Sequence, residues 1–161
     1  MNKVRIISAV AVLLIAIGGL FALNGYKSQN ASAVMASSEP THTLKPSDFK
    51  TGVTYEEAMK QKKPMVINFY VDWCHYCQNF APVLDNMRLQ YKDKYNFVTI
   101  NCEDKHYKKL VDDFMIGSFP TLYIVDPTND NRVLVPPSAY SSQEYLKKEF
   151  NRFLRVNHYN K

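Results

Sequence analysis

An apolar run that breaks straight into a helix with two cysteines in its first turn constrains this chain more than any other segment. Met65-Val66-Ile67-Asn68-Phe69-Tyr70-Val71 is short, rich in β-branched and aromatic residues, and preceded by Pro64, the pattern of a buried strand. From Cys77 onward, Phe80, Val83, Leu84, Met87 and Tyr91 recur at helical spacing, so one helical face is apolar. Cys74 stands where the strand ends and the helix begins. Unpaired N–H groups and the positive end of the helix dipole favour a thiolate there. Cys77, one turn further on, can reach the same sulfur and resolve a mixed disulfide. The competing readings are an inert crosslink and half of a zinc site. A four-ligand site wants a second pair at suitable spacing, and Cys102 is the remaining thiol, so a redox dithiol without metal is expected.

The rest of the chain supplies an alternating pattern. Thr54-Tyr55-Glu56-Glu57 is a capping box opening a helix that ends at Lys62-Lys63-Pro64. Strand 65–71 and a helix from Cys74 to about Lys94 follow, then a strand from Tyr95 to Cys102. Tyr107, Leu110, Val111 and Phe114 form a further helical stripe. Phe119 to Val125 reads as a strand, residues 126–131 as a turn, and Arg132 to Val135 as a last strand. Ser141 with Glu144 should cap a final helix facing the core with Leu146, Phe150, Phe153 and Leu154. Crossover helices call for parallel strands, and the tight turn adds an antiparallel one. The expected class is α/β, with a central mixed sheet flanked by helices on both faces.

Charge excludes little but is informative at the N-terminus. The net charge of +5 over 161 residues is too mild, and too evenly interspersed with acids, for a nucleic-acid surface. Lys3 and Arg5 precede an uncharged stretch from Ile6 to Leu23, which as a helix spans ~27 Å, enough for a hydrocarbon core. Residues 1–25 are read as a membrane anchor or signal segment, with the positive flank kept inside and the remainder exported. Ala31-Ser32-Ala33 is a candidate cleavage site. Residues 26–48, small and polar without periodicity, read as a flexible tether. Residues 49–161 form the folded domain.

With these residues in hand, the chain resembles the thioredoxin superfamily. Phe69-Tyr70-Val71-Asp72-Trp73-Cys74-x-x-Cys77, Pro82 five positions after the second cysteine, and Ser118-Phe119-Pro120-Thr121 carry the similarity, over about residues 49–156. The resemblance implies a thioredoxin-like fold, Cys74 as nucleophile, Cys77 as resolving thiol and Pro120 as a cis-proline facing them. It implies that an extended substrate strand lies beside that proline, with Phe119 helping to bind it. Two departures stand out. Family members often carry a buried acid six residues before the first cysteine, with a lysine partner. This chain has Asn68 and Thr99, so proton transfer from the second thiol needs water or another group. The dipeptide His75-Tyr76 also differs from the Gly-Pro of thioredoxins.

Other residues carry weaker signals. Trp73 and Phe119, and with them His75 and Tyr76, are expected to face substrate, although core aromatics and a solvated histidine are the plain alternatives. A protonated His75 would stabilise a thiolate at Cys74 and make the disulfide a better oxidant. Cys102 is either a small buried hydrophobe or a third redox thiol, and Asp72 a solvated turn residue. The tethered, exported branches of the family reduce disulfides in envelope proteins, cytochrome c assembly included. The expected function is therefore an exported thiol–disulfide oxidoreductase acting on protein disulfides, monomeric, without cofactor. It would be held at the inner membrane by its N-terminus, or be soluble in the periplasm after cleavage, and be re-reduced by a membrane electron donor. An oxidant or isomerase using the same pair, and a non-catalytic docking module, are the alternatives.

Overall fold

In the computed structural model, residues 44–49 and 52–159 are described; the expected anchor and most of the tether lie outside them. A four-stranded sheet, ordered β2-β1-β3-β4, forms the centre, built from β1 (Met65–Tyr70), β2 (Asn96–Asn101), β3 (Thr121–Asp126) and β4 (Asn131–Leu134). The helices are α1 (Tyr55–Lys60), α2 (His75–Tyr91), α3 (Lys108–Asp113) and α4 (Gln143–Val156). Among the described residues no helix is long and apolar enough to cross a membrane.

β1 is buried at all six positions, because both of its faces are covered. Val66 joins Phe97, Leu122 and Ile124 in a cluster closed by Phe80, Leu84 and Met87 of α2 and Leu146, Phe150 and Leu154 of α4. Met65, Ile67 and Phe69 point the other way, with Val98, Ile100 and Val125, against Ala58 of α1 and Phe114 after α3. The strand alternation thus sorts the core into two layers. Within the first layer Tyr95 is fully buried, and its hydroxyl donates to the Phe150 carbonyl at 2.7 Å, so the ring is buried without an orphaned polar atom.

β1 and β2 run parallel, in register from Met65 with Asn96 to Tyr70 with Asn101. The 17 residues of α2 span ~25 Å, enough to carry the chain back along a strand of ~20 Å. β3 departs from the expectation of parallel pairing: it lies antiparallel to β1, from Met65 with Val125 to Phe69 with Thr121. The cause is helix length. The six residues of α3 cover only ~9 Å, so the chain re-enters the sheet at the end where β2 left it. β4 then pairs antiparallel with β3, Tyr123 with Leu134 to Asp126 with Asn131.

Local signals explain most boundaries. Thr54 caps α1 with a reciprocal box, its hydroxyl accepting from Glu57 N and the Glu57 carboxylate accepting from Thr54 N. The last helix is capped by Ser142, whose hydroxyl accepts from Glu144 N at 3.2 Å, instead of by Ser141. Ser141 closes a 3-10 turn over Pro137–Ser141 and spends its hydroxyl on the Ser138 carbonyl. Gly52 has φ +88°, and a Cβ there would collide with the Phe97 carbonyl, so only glycine fits this approach to β2. Residues expected to end the tether are packed on the domain: Pro46–Asp48 form a 3-10 turn with Pro46 buried.

Candidate active site

Cys74 is the N-cap of α2, with φ −78° and ψ 114°, one residue before the helical backbone begins. Its Sγ accepts from the Cys77 amide at 3.4 Å, one of the N–H groups that a helix start leaves without an intrahelical partner. The thiol donates toward the Phe119 carbonyl at 3.6 Å, a sulfur contact that ties the helix cap to the residue preceding Pro120. The side chain therefore points at both Cys77 and the Phe119–Pro120 segment. Its residual exposure is only 8%, so a reacting disulfide has to approach along one narrow direction, a tighter site than the sequence suggests.

Cys77 is 2% exposed. Burial, then its hydrogen bonding with Cys74, pushes its thiol up to about 12. The two cysteines share a cluster with Tyr70 and Val71, against which Cys102 and Phe119 pack. All three cysteines are free thiols. Burial likewise raises the Cys102 thiol to about 11, which leaves it a poor nucleophile at neutral pH.

The Phe119–Pro120 peptide is cis. Trp73 stands 68% exposed beside it, edge-on to Phe119 with ring centres 6.4 Å apart, and its indole N–H donates to the Glu103 carboxylate at 3.0 Å. Tyr76 is 75% exposed. His75 is exposed and engages Asn79 at 3.1 Å, one turn along α2. The residues expected at the site thus gather at one end of the sheet, around the C-terminal ends of β1 and β2 and the start of β3. A groove of about 520 Å³ opens on the Tyr76 side of this cluster, running past Phe119 and Pro120 to Val83, Pro137 and Tyr140. Sequence reading misses Val83, Pro137 and Tyr140, since spacing marks Val83 only as part of a core stripe. It misses Glu103 as well.

Two neighbouring residues behave differently from expectation. Asp72 is not a free turn residue: its carboxylate accepts from Ser47 N at 3.1 Å and Ser47 Oγ at 2.8 Å, a partner 25 positions upstream and beyond any local pattern. Asn68 is 3% exposed and its Oδ1 has no hydrogen-bond partner. It pairs in register with Thr99, and the two line a cavity of about 10 Å³ with Pro46, Tyr70, Ala81 and Leu84. Ala81 is one helical turn after Cys77 on α2, so this small cavity borders the same helix that carries the resolving thiol.

Two vicinal thiols at a helix start, one held between an amide and a carbonyl and the other buried behind it, define a thiol–disulfide oxidoreductase. The thioredoxin family model matches residues 44–149, and the chain belongs to that family. Relatives agree. The thioredoxin-like protein HCF164 of Arabidopsis thaliana chloroplasts is 37% identical over 76 residues, 47% of this chain and 29% of that one. The thiol:disulfide interchange protein TxlA of Synechococcus elongatus is 27% identical over 120 residues, 74% of this chain and 55% of that one. The chain thus spans less than a third of the first relative and about half of the second. Among solved structures, the J-Trx1 fragment of ERdj5 superposes with a TM-score of 0.55 at 21% identity, over 63% of this chain and 46% of that one. The thioredoxin Deadhead of Drosophila melanogaster gives 0.53 at 16% identity, over 65% of this chain and 98% of that one. Both support the fold alone.

Proposed function

We propose that this chain reduces disulfides of exported proteins, with Cys74 as the attacking thiol and Cys77 as the resolving one. The observation that carries the reading is Cys74 Sγ lodged between the Cys77 amide and the Phe119 carbonyl. When Cys74 loses its proton, the amide bond becomes charge-assisted and strengthens. The thiolate attacks one sulfur of the substrate disulfide in line; a Cys74–substrate disulfide forms and the other substrate sulfur leaves as a thiolate. Cys77 then loses its proton and attacks Cys74 Sγ, closing the Cys74–Cys77 disulfide and releasing the second substrate thiol. Two electrons pass from the dithiol to the substrate, and the two protons end on the substrate thiols.

Trp73, Phe119 and Pro120 hold the incoming segment, with His75 and Tyr76 flanking it. The uncharged stretch 6–23 behind Lys3 and Arg5 supports an anchored domain on the far side of the membrane; the resemblance to tethered, exported family branches is what suggests envelope proteins such as apocytochrome c as substrates and a membrane donor that re-reduces the pair. A tether beside that donor raises its effective concentration. The test is Cys77→Ser in cells: adducts held through Cys74 and released by reductant are expected, and their identities give substrate and donor. A reduction potential more oxidising than about −180 mV would assign the pair to net oxidation instead.

A further inference from the structure

The turn that carries the chain from β1 to Cys74 is held by side chains that take no part in the steps above. Resting on the oxidoreductase reading, we infer that Asp72 is a positioning residue for the exchange reaction. Held by Ser47 through its carboxylate and by Gln78 through its carbonyl, it fixes where Cys74 Sγ points.

Residues Val71 to Cys74 form a four-residue turn closed by one backbone bond, from Cys74 N to the Val71 carbonyl at 3.3 Å. Its central peptide, between Asp72 and Trp73, is the soft point, because the two commonest turn types differ chiefly by a rotation of that peptide. The Asp72 carbonyl belongs to it and accepts from Gln78 Nε2 at 2.8 Å. Gln78 directly follows Cys77 on α2, so the helix that begins at the first thiol and holds the second also locks the peptide leading into them. Rotation of that peptide would break this bond and disturb the backbone that seats Cys74 as N-cap.

The carboxylate is anchored separately. Ser47 N donates to Oδ1 at 3.1 Å and Ser47 Oγ to Oδ2 at 2.8 Å, one bond to each oxygen of a charged acceptor, and such bonds are stronger than neutral ones. Ser47 is itself fixed. It sits in the Pro46–Asp48 turn, where Pro46 is buried and the Asp48 carboxylate accepts from Lys45 N at 2.8 Å. Pro46 and Phe49 line the small cavity beside Tyr70, Ala81 and Leu84. Residues that read in sequence as the end of a tether thus support the reacting sulfur. The support matters because Cys74 Sγ has one seat, 3.4 Å from the Cys77 amide and 3.6 Å from the Phe119 carbonyl, and is only 8% exposed. With so narrow an approach, a misplacement of ~1 Å can cost about a hundredfold in rate.

A purely electrostatic role for the carboxylate is the rival reading, and substitution separates the two. Asp72→Asn removes the charge but can keep both bonds, Ser47 N to Oδ1 and the new amide to Ser47 Oγ, whereas Asp72→Ala loses both.

The test follows oxidation of the full chain, in its dithiol form, by insulin and by hydroxyethyl disulfide in single turnovers over a range of substrate concentration. Ser47→Ala, Gln78→Ala and Asp72→Ala should each lower the limiting rate about three- to thirtyfold for both substrates, with the half-saturating insulin concentration unchanged. Ser47→Thr and Asp72→Asn should retain the rate. Ser47 is exposed, so its substitution leaves the fold in place. Unchanged limiting rates in Ser47→Ala or Gln78→Ala, a slowdown confined to insulin, or an Asp72→Asn variant as slow as Asp72→Ala would each overturn the positioning role while leaving the oxidoreductase reading intact. Failure of the unsubstituted chain to reduce either disulfide would overturn that reading and the inference with it.

Discussion

Asn68 offers the sharpest test of how the site is built, because two substitutions there should move stability in opposite directions. The side chain is 3% exposed and its Oδ1 is unpartnered. Leaving such an acceptor buried costs ~1–3 kcal/mol. Asn68→Leu removes the acceptor and adds apolar contact against Leu84 and Ala81, with the adjacent cavity taking the small difference in shape. We expect a gain of ~1–2 kcal/mol, or roughly 4–12 °C in Tm for a domain of this size. Asn68→Asp keeps the shape but introduces a carboxyl. Burial favours the neutral acid, which would hold its proton up to about pH 6–7 in the folded chain against about 3.9 in the unfolded one. Stability is accordingly intact below about pH 4 and is lost as pH rises toward the folded value, by ~3–4 kcal/mol in total at 1.36 kcal/mol per pH unit. Urea unfolding of the dithiol form between about pH 4 and 8 measures both effects, with the unsubstituted chain as baseline. If the Asn68→Asp variant tracks that baseline across the range, or if Asn68→Leu destabilises like an ordinary core lesion, the claim that this oxygen is buried without compensation is refuted.

Other expectations concern the thiols, the aromatic patch and the core. The Cys77 thiol, pushed up to about 12 by burial, keeps its proton in the folded dithiol state while an unfolded thiol loses it near about 8.5. The dithiol form should therefore lose up to ~1.4 kcal/mol per pH unit from this group between about pH 9 and 11, whereas the disulfide form shows no such loss; parallel alkaline profiles for the two forms would count against it. With iodoacetamide at neutral pH, Cys74 should be alkylated and Cys77 spared, as peptide mapping would reveal. Glu103→Gln weakens the charge-assisted bond to the Trp73 indole, so Trp73 fluorescence should shift and KM for protein disulfides should rise with little change in kcat; unchanged fluorescence would remove Glu103 from that role. Phe150→Ala opens a hole beneath Tyr91, Tyr95 and Phe97 and should cost ~3–5 kcal/mol in urea unfolding; a loss below ~1 kcal/mol would mean the aromatic layer is not packed as described.

What can be read in the sequence, and what cannot, divides by distance along the chain. The Cys74/Cys77 pair, the strand before it, the α2 stripe and the α4 core face are local patterns, and the core they predict is the one found, down to Leu146, Phe150, Phe153 and Leu154. The direction of β3 escapes such patterns because helix length, not the presence of a helix, decides whether a crossover returns the chain. The stripe from Tyr107 to Phe114 holds a helix of only six residues, entered through a 3-10 turn. The site shows the same division. Its sulfurs are close in sequence, but the residues that shape access to them are not: Ser47 reaches Asp72, Glu103 reaches Trp73, and Tyr140 is fixed by Leu122 and Val135. Such pairings leave no periodic trace. A short polar side chain bonded across the fold looks, in sequence, like a solvated one, and this is why Asp72 reads as a free turn residue. The consequence is functional. On the proposed function the two reacting sulfurs are local in sequence, whereas the surface beside them is assembled from α2, the Phe119–Pro120 segment and the Pro137–Ser141 turn.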